Sequence, residues 1–322
     1  MPHIGPYRLR NAVLLAPMAG ITDAPFRALA WRFGAGYVVG EMVGSDESLW
    51  NTPKSRFRRA AVDGIGPRAV QIAGSEPAVM AEAARRHVDD GADIIDINFG
   101  CPAKKVCRRA AGSQLLQHPD LVVAIAEACV RAVAAPVTVK MRTGYAPEQR
   151  NGVDVARRLE QVGVAAITVH GRTRACAFRG EAEYDTIARI KTSVSIPVFA
   201  NGDIDSPAKA RMVLAATGTD GVMVGRAALG APWLPGLIAG EIGREPSVDE
   251  RWALMAEHVR ALHDFYGAEP GDDRGVRIAR KHVQWYLAQM QADAAAARSF
   301  HRLTDPAAQL DWLGAQGLPA AA

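Results

Sequence analysis

The chain predicts an α/β protein, a (β/α)8 TIM barrel followed by a small all-helical domain. Three observations carry this: eight short apolar runs, helical patterns between them, and a change of pattern near residue 240.

The runs are Val13–Ala16, Tyr37–Val39, Ala69–Ile72, Ile94–Asn98, Val137–Met141, Ala166–Val169, Val198–Ala200 and Val222–Val224. Each reads as a strand buried on both faces and ends at a turn signal. Helical patterns cover Pro25–Phe33, Pro77–Asp90, Pro119–Val133, Val153–Val162, Tyr184–Lys191 and Pro207–Ala216. Several begin with Pro, whose missing N–H is no loss in a first turn. For the helix from Pro77, Ser75 is the expected cap and Gly91 the end. Residues 44–66 read as irregular and basic. A doubly wound open sheet is the competing arrangement. Eight runs, with polar residues after nearly every one, favour the closed barrel.

Beyond residue 240, Val248–Tyr266 is a long amphipathic helix whose Trp252, Met255, Val259 and Leu262 read as a core stripe. Glu269–Asp273 reads as a linker, with further helices at Arg277–Gln291 and Asp305–Gly314. The expected division is a barrel over 1–240 and a helical domain over 241–322.

With 322 residues, 49% of them hydrophobic, the chain can bury a large core. Cys101, Cys107, Cys129 and Cys176 form no C-x-x-C pair, which argues against a disulfide framework or a metal site. The first residues lack a basic segment followed by an apolar run. No apolar stretch reaches the roughly 20 residues of a membrane span. A soluble, cytoplasmic protein without membrane contact is the expectation. Net charge is +4, unevenly spread. From Glu241 onward lie 9 of the 38 basic and 12 of the 34 acidic residues, leaving 29 and 22 in residues 1–240. A basic body is compatible with a polyanionic partner.

The stretch Ile94–Val106 draws the chemistry together. It begins as a strand and breaks at Gly100-Cys101-Pro102, which puts a thiol on a stiff loop past a strand end. A lone Cys is otherwise read as a small buried hydrophobe. The other strand ends carry Pro17-Met18-Ala19, Glu41-Met42, Gln71, Asn98, Lys140 and Arg142, His170 and Arg172, Asn201-Gly202-Asp203 and Gly225-Arg226. Barrel active sites lie at these ends, so together they define a polar, positively biased cup. The seventh and eighth ends, Asn201–Asp203 and Gly225-Arg226, stand where barrels hold phosphate through backbone N–H groups. Lys140 and His170 could hold an electron-rich ring as cation and donor, and Gln71 offers a donor and an acceptor to an amide edge. The alternatives are a Gly-rich turn with a surface Arg, and a His that caps a turn.

Jointly, Ala16–Asp23, Asp96–Pro102, Lys140-Met141-Arg142, His170–Thr173 and Asn201-Gly202-Asp203 resemble the signature set of the tRNA-dihydrouridine synthases. Cys101–Val106, His170–Ala175 and Arg280-Lys281-His282 resemble the bacterial B-type branch most. The resemblance implies FMN with its phosphate at Asn201–Asp203 and Gly225-Arg226, and its ring against Pro17–Ala19, Gln71, Lys140 and His170. It implies Cys101 as catalytic acid, NADPH or NADH as reductant, and a D-loop uridine of tRNA as substrate, with no stable protein partner. Hydride would pass to C6 of the uracil and a proton to C5. A thiol, with a free pKa of about 8.5, is mostly protonated near neutrality and suits that task. The chain departs from the pattern at Phe99 and Cys107, neither of which is a proposed functional group.

A base inside folded tRNA must be flipped out, which requires gripping the backbone around it. Candidate grips are Arg56, Arg58 and Arg59, then Lys104, Lys105, Arg108 and Arg109, then Arg172 and Arg174. In the tail they are Arg274, Arg277, Arg280, Lys281 and His282, of which Arg277, Arg280 and Lys281 share a helical face by spacing. Asn98 and Arg142 are expected among the substrate-binding residues. The rival functions are a reductase of a free pyrimidine, which needs no basic tail, and a tRNA-binding protein on an inert barrel.

Overall fold

All eight apolar runs are strands, and they close into a ring. The structure is a computed structural model that describes residues 1–102, 111–267 and 273–317. Its strands are β1 (His3–Ile4), β2 (Tyr7–Arg8), β3 (Val13–Leu15), β4 (Tyr37–Val38), β5 (Val43–Gly44) and β6 (Ala69–Ala73). They continue with β7 (Ile94–Phe99), β8 (Val137–Arg142), β9 (Ala166–His170), β10 (Val198–Asn201) and β11 (Gly221–Val224). The main sheet runs β4-β3-β11-β10-β9-β8-β7-β6-β5, parallel throughout. A parallel bridge from Val39 to Ala69 joins its two edges. The second barrel strand is therefore split: Tyr37–Val39 and Val43–Gly44 both face β6, with Gly40-Glu41-Met42 between them.

Inward-facing side chains alternate along each strand. The lower interior is apolar: Leu14, Tyr37, Ala69, Ile94, Ala166, Phe199 and Met223 pack together, plugged from below by Ile4 and Leu9 of the β1–β2 hairpin. Two residues further along, the same face turns polar, with Gln71, Asp96 and Thr138 side by side across β6, β7 and β8.

The helices are α1 (Ala24–Arg32), α2 (Pro53–Arg59), α3 (Pro77–Asp89), α4 (Pro119–Ala132), α5 (Gly152–Gln161), α6 (Asp185–Lys191), α7 (Pro207–Thr217) and α8 (Leu234–Ala239). In the tail they are α9 (Val248–Tyr266), α10 (Arg274–Gln289), α11 (Ala294–His301) and α12 (Pro306–Gly317). Ser247 and Glu250 form a capping box that starts α9. Met255, Val259 and Leu262 are buried, as the stripe predicts, and Trp252 packs at the edge. They belong to one core that continues into the outer layer of the barrel.

Four local expectations change. The cap of α3 is Glu76, without a side-chain bond, and not Ser75. Residues 44–66 are not wholly irregular: a 3-10 turn at Glu47–Leu49 precedes α2, which Thr52 caps. Helices α8 and α11 have no counterpart in the sequence reading. Both are short, and an Ala-rich segment such as 294–297 has too little apolar contrast to show a period. Most of the expected linker Glu269–Asp273 lies outside the described residues.

Candidate active site

A cavity of about 1080 Å³ opens at the strand tips. Ala16, Met42, Gln71, Asn98, Lys140, His170, Asn201 and Gly225 all line it, one from each barrel strand or the loop after it. Ligand cavities run to about 1,000 Å³, so this one has room for a cofactor and a base together.

One wall is a buried relay. Thr138 Oγ1 donates to Asp96 Oδ1 at 2.6 Å, and Gln71 Nε2 donates to Asp96 Oδ2 at 2.7 Å. Asn98 Nδ2 donates to Gln71 Oε1 at 2.8 Å. Asn98 Oδ1 accepts from the N–H groups of Gly100 and Cys101 at 3.2 and 2.9 Å. The chain of bonds fixes which end of each amide faces the cavity. Asp96 stands in the sequence as part of a strand and of the signature stretch, without a role of its own, yet it sets the orientation of Gln71. Burial pushes its carboxyl above the usual range, opposed by the bonds from Thr138 and Gln71. Asp96→Asn keeps an acceptor for Gln71, since the Thr138 hydroxyl can rotate to accept. Its stability should stay near that of the wild type, whereas Asp96→Ala should lose about 1–3 kcal/mol by orphaning Gln71. Thermal unfolding of both variants checks this.

The opposite wall centres on Asn201. Its Oδ1 accepts from Lys140 Nζ at 3.1 Å and from His170 Nδ1 at 2.9 Å, and its Nδ2 donates to Met223 O at 2.7 Å. Burial, then the charges of Lys140 and Arg142, bring His170 down to about 3, so the ring is neutral. With its proton on Nδ1, Nε2 is the acceptor, and Arg172 Nη1 stands 3.5 Å from it. Burial and the neighbouring Arg142 lower Lys140 to about 8, leaving it mainly charged near neutrality.

Cys101 sits on the cavity lining between these walls. Its carbonyl accepts from the N–H and Oγ of Ser113 at 3.1 and 2.9 Å, so the peptides on both sides of the thiol are held. Lys140 and Arg142 are close enough to Cys101 for its charge to act on theirs. Arg142 is buried, and its Nε and Nη1 donate to the carbonyls of Gly100, Thr173 and Ala177 at 2.8, 2.9 and 2.8 Å. It also lies over the Phe178 ring at 5.4 Å, with Arg226 at 4.6 Å from the same ring. Phe178 lines the cavity and is 51% exposed. The sequence reading missed it, because a lone Phe in a loop carries no periodic signal.

At the far end, Gly202, Asp203, Gly225 and Arg226 line the cavity. The Asp203 side chain belongs to the protein: Arg172 grips both its oxygens at 2.9 and 2.5 Å, and the Ala182 N–H and Arg226 add to them. Burial works against its charge, but these partners outweigh it and hold the carboxyl below the usual range. Arg172 is thereby corrected from a tRNA grip to a buried partner of Asp203, 4% exposed.

The tail cations divide as well. Arg277 is exposed and pairs with Asp273. Arg280 donates to Leu303 O at 3.0 Å. Lys281 donates to Gly20 O in the barrel. His282 is corrected outright: it is 1% exposed, packed against Phe26, His258 and Trp285, and cannot reach a substrate. The spacing that placed three cations on one face ignored what packs against that face. Among the barrel grips, Arg56 is exposed, while Arg58 pairs with Glu41 and Arg59 with Asp90. Lys104, Lys105, Cys107, Arg108 and Arg109 lie outside the described residues.

A flavin fits this cavity on three counts. Lys140 puts a charge, and Gln71 and Asn201 put oriented amides, on the cavity lining, groups of the kind a ring's polar edge needs. Gly225 leaves open the space a side chain would fill, the nearest atoms to a Cβ being 3.9 Å away. Arg226 is half exposed at the same end, available to an anion. Fold and site together define a flavin-dependent oxidoreductase on a (β/α)8 barrel. The family model for dihydrouridine synthase matches residues 14–319, and the chain belongs to that family. It is 56% identical over 311 residues to tRNA-dihydrouridine synthase B of Pseudomonas aeruginosa, covering 95% of this chain and 92% of that one. To the protein of the same name from Escherichia coli (strain K12) it is 52% identical over 317 residues, 97% of this chain and 98% of that one. The fold is also that of a histamine dehydrogenase from Rhizobium sp. 4-9, with TM-score 0.57 at 17% identity, covering 80% of this chain and 50% of that one. Among the described residues no helix is long and apolar enough to cross a membrane.

Proposed function

We propose that the protein reduces a D-loop uridine of tRNA to 5,6-dihydrouridine, using FMN and a nicotinamide reductant. The observation that carries the reading is the position of Cys101: a backbone-anchored thiol on the lining of a cavity whose facing walls are built of Lys140, Gln71 and Asn201. When bound, the flavin supplies hydride to the C6 carbon of the uracil. Gln71, Lys140 and His170 would hold its ring, and the Gly202, Asp203, Gly225 and Arg226 end would take its phosphate. Cys101 gives its proton to C5 from the other side of the base, and the thiolate left behind lies near Lys140 and Arg142. Asn98, tied to both Gln71 and the Cys101 peptide, aligns thiol and ring. Phe178 offers an aromatic face at the mouth for an extruded base.

The tail from residue 241 and the exposed Arg56 and Arg277 are read as the grip on tRNA phosphates. Replacing Arg56 and Arg277 by Ala should reduce the slope of log affinity against log salt by about 1–2, without altering flavin binding. An unchanged slope removes them from the interface.

The function is tested by incubating flavin-loaded protein with unmodified tRNA and NADPH or NADH under anaerobic conditions. Dihydrouridine mapped to one D-loop position is the expected result. Turnover of free uracil or orotate, undiminished by salt, would instead point to a free-pyrimidine reductase. Colourless protein that still binds tRNA would point to a barrel without redox chemistry.

A further inference from the structure

The loop from Ala16 to Thr22 forms one side of the cavity through Ala16, Pro17, Met18, Ala19 and Ile21. Its inner bonds are short-range: Met18 N donates to Thr22 Oγ1 at 2.9 Å, and Ile21 N and Thr22 N donate to Met18 O at 2.9 and 3.0 Å. Its two ends are tied by the Ala16 N–H to Val224 O and by Arg27 Nη1 to Thr22 O, both at 2.8 Å, and its middle is held from behind. The Gly20 N–H donates to Glu41 Oε2 at 2.5 Å, and the Gly20 carbonyl accepts from Lys281 Nζ of α10. The two peptides that flank Gly20 are thus held, one by the split barrel strand and the next by the tail. Gly20 has φ +77°, a conformation other residues rarely adopt.

A second tie runs parallel to the first. Asp23 caps α1 by accepting from Phe26 N at 3.0 Å, and its other oxygen accepts from Tyr266 OH, at the end of α9, at 3.1 Å. Tyr266 and Asp23 are both buried. Neither Lys281 nor Tyr266 lines the cavity, so neither is placed to touch what occupies it. Both reach across more than 240 residues of chain to grip the segment beside the cofactor wall.

We propose that Lys281 and Tyr266 are positioning residues: from the helical tail they hold the flavin-facing loop 16–22 in place, so that the tail shapes the cofactor site. This rests on the reading that the loop faces the flavin. It also gives Lys281 a role other than the tRNA contact expected from its basic neighbours. Three consequences separate the two roles. The tie should act on flavin binding in the absence of any RNA. It should depend on a donor at position 281 and on the Tyr266 hydroxyl. It should leave tRNA affinity less affected than flavin affinity.

The test uses the full chain with Lys281→Met, Lys281→Arg and Tyr266→Phe. FMN affinity is measured by flavin fluorescence, the bound flavin's visible spectrum is recorded, and tRNA affinity is measured at fixed salt. Lys281→Met should weaken FMN about tenfold and shift the visible bands. Lys281→Arg should recover affinity to within about threefold, and Tyr266→Phe should fall between wild type and Lys281→Met. If Lys281→Met does not fold, Tyr266→Phe decides, since it removes one hydroxyl and keeps the ring. Wild-type FMN affinity and spectrum in the variants, with loss only in tRNA binding, would overturn the proposal and return Lys281 to the RNA interface. Wild-type protein that takes up no FMN would overturn it together with the reading beneath it.

Discussion

Cys101→Ala should retain flavin and its reduction by the nicotinamide donor, and should lose dihydrouridine formation by about 100- to 10,000-fold, the range of a missing general acid. The backbone that presents the thiol is held by Asn98 Oδ1 on its N–H and by Ser113 on its carbonyl. Neither contact needs the sulfur, so the substitution removes the proton donor and leaves the loop. Two half-reactions then come apart. Flavin reduction, followed by loss of its visible absorbance, should be unchanged, while product formation in single turnover collapses. A full yield of dihydrouridine from the variant would end the acid role. Cys101→Ser is the finer probe: a hydroxyl keeps the size but is a much weaker acid, so it should resemble Ala more than wild type.

The second large effect concerns Lys140. Burial and the nearby Arg142 bring it from its ordinary 10.5 down to about 8. Its charge is therefore present below pH 8 and lost as the pH rises through that value. With a flavin ring against Lys140, the charge favours the electron-rich reduced ring. The rate of flavin reduction should fall by about tenfold or more as the pH climbs past about 8, a loss of about 1.4 kcal/mol. Lys140→Met should be slow at every pH and flat across that window. Stopped-flow reduction between about pH 6 and pH 10 reads both. His170 cannot supply this dependence, because burial already holds it near 3 and neutral throughout. A profile unchanged in Lys140→Met would assign the charge to another group.

Much of the site could be read from the sequence because a barrel turns a one-dimensional list into a ring. Once strands are recognised by their apolar runs, the residues at their carboxyl ends are neighbours by construction. Gln71, Asn98, Cys101, Lys140, His170, Asn201 and Gly225 were collected in that way, and all line one cavity. The tail was harder. A basic helix reads the same whether its cations face solvent or a neighbouring carbonyl, and only packing tells them apart. His282 shows the cost: its charged neighbours suggested a surface, and its ring lies in the core beside Phe26 and His258.

Local composition alone thus determined the strands, most helices, and which chemical groups stand at the mouth. Apolar runs, turn residues and caps act over a few residues and are written in order. The tertiary structure decided how those groups are used. It set Lys140 and His170 on one oxygen of Asn201, which is 61 residues from Lys140, spent Asp203 on Arg172, and sent Lys281 across 261 residues to the Gly20 carbonyl. Hydrogen bonds and ion pairs depend on separations of about 3 Å, and between distant segments only the closing of the barrel and the docking of the tail can set such distances.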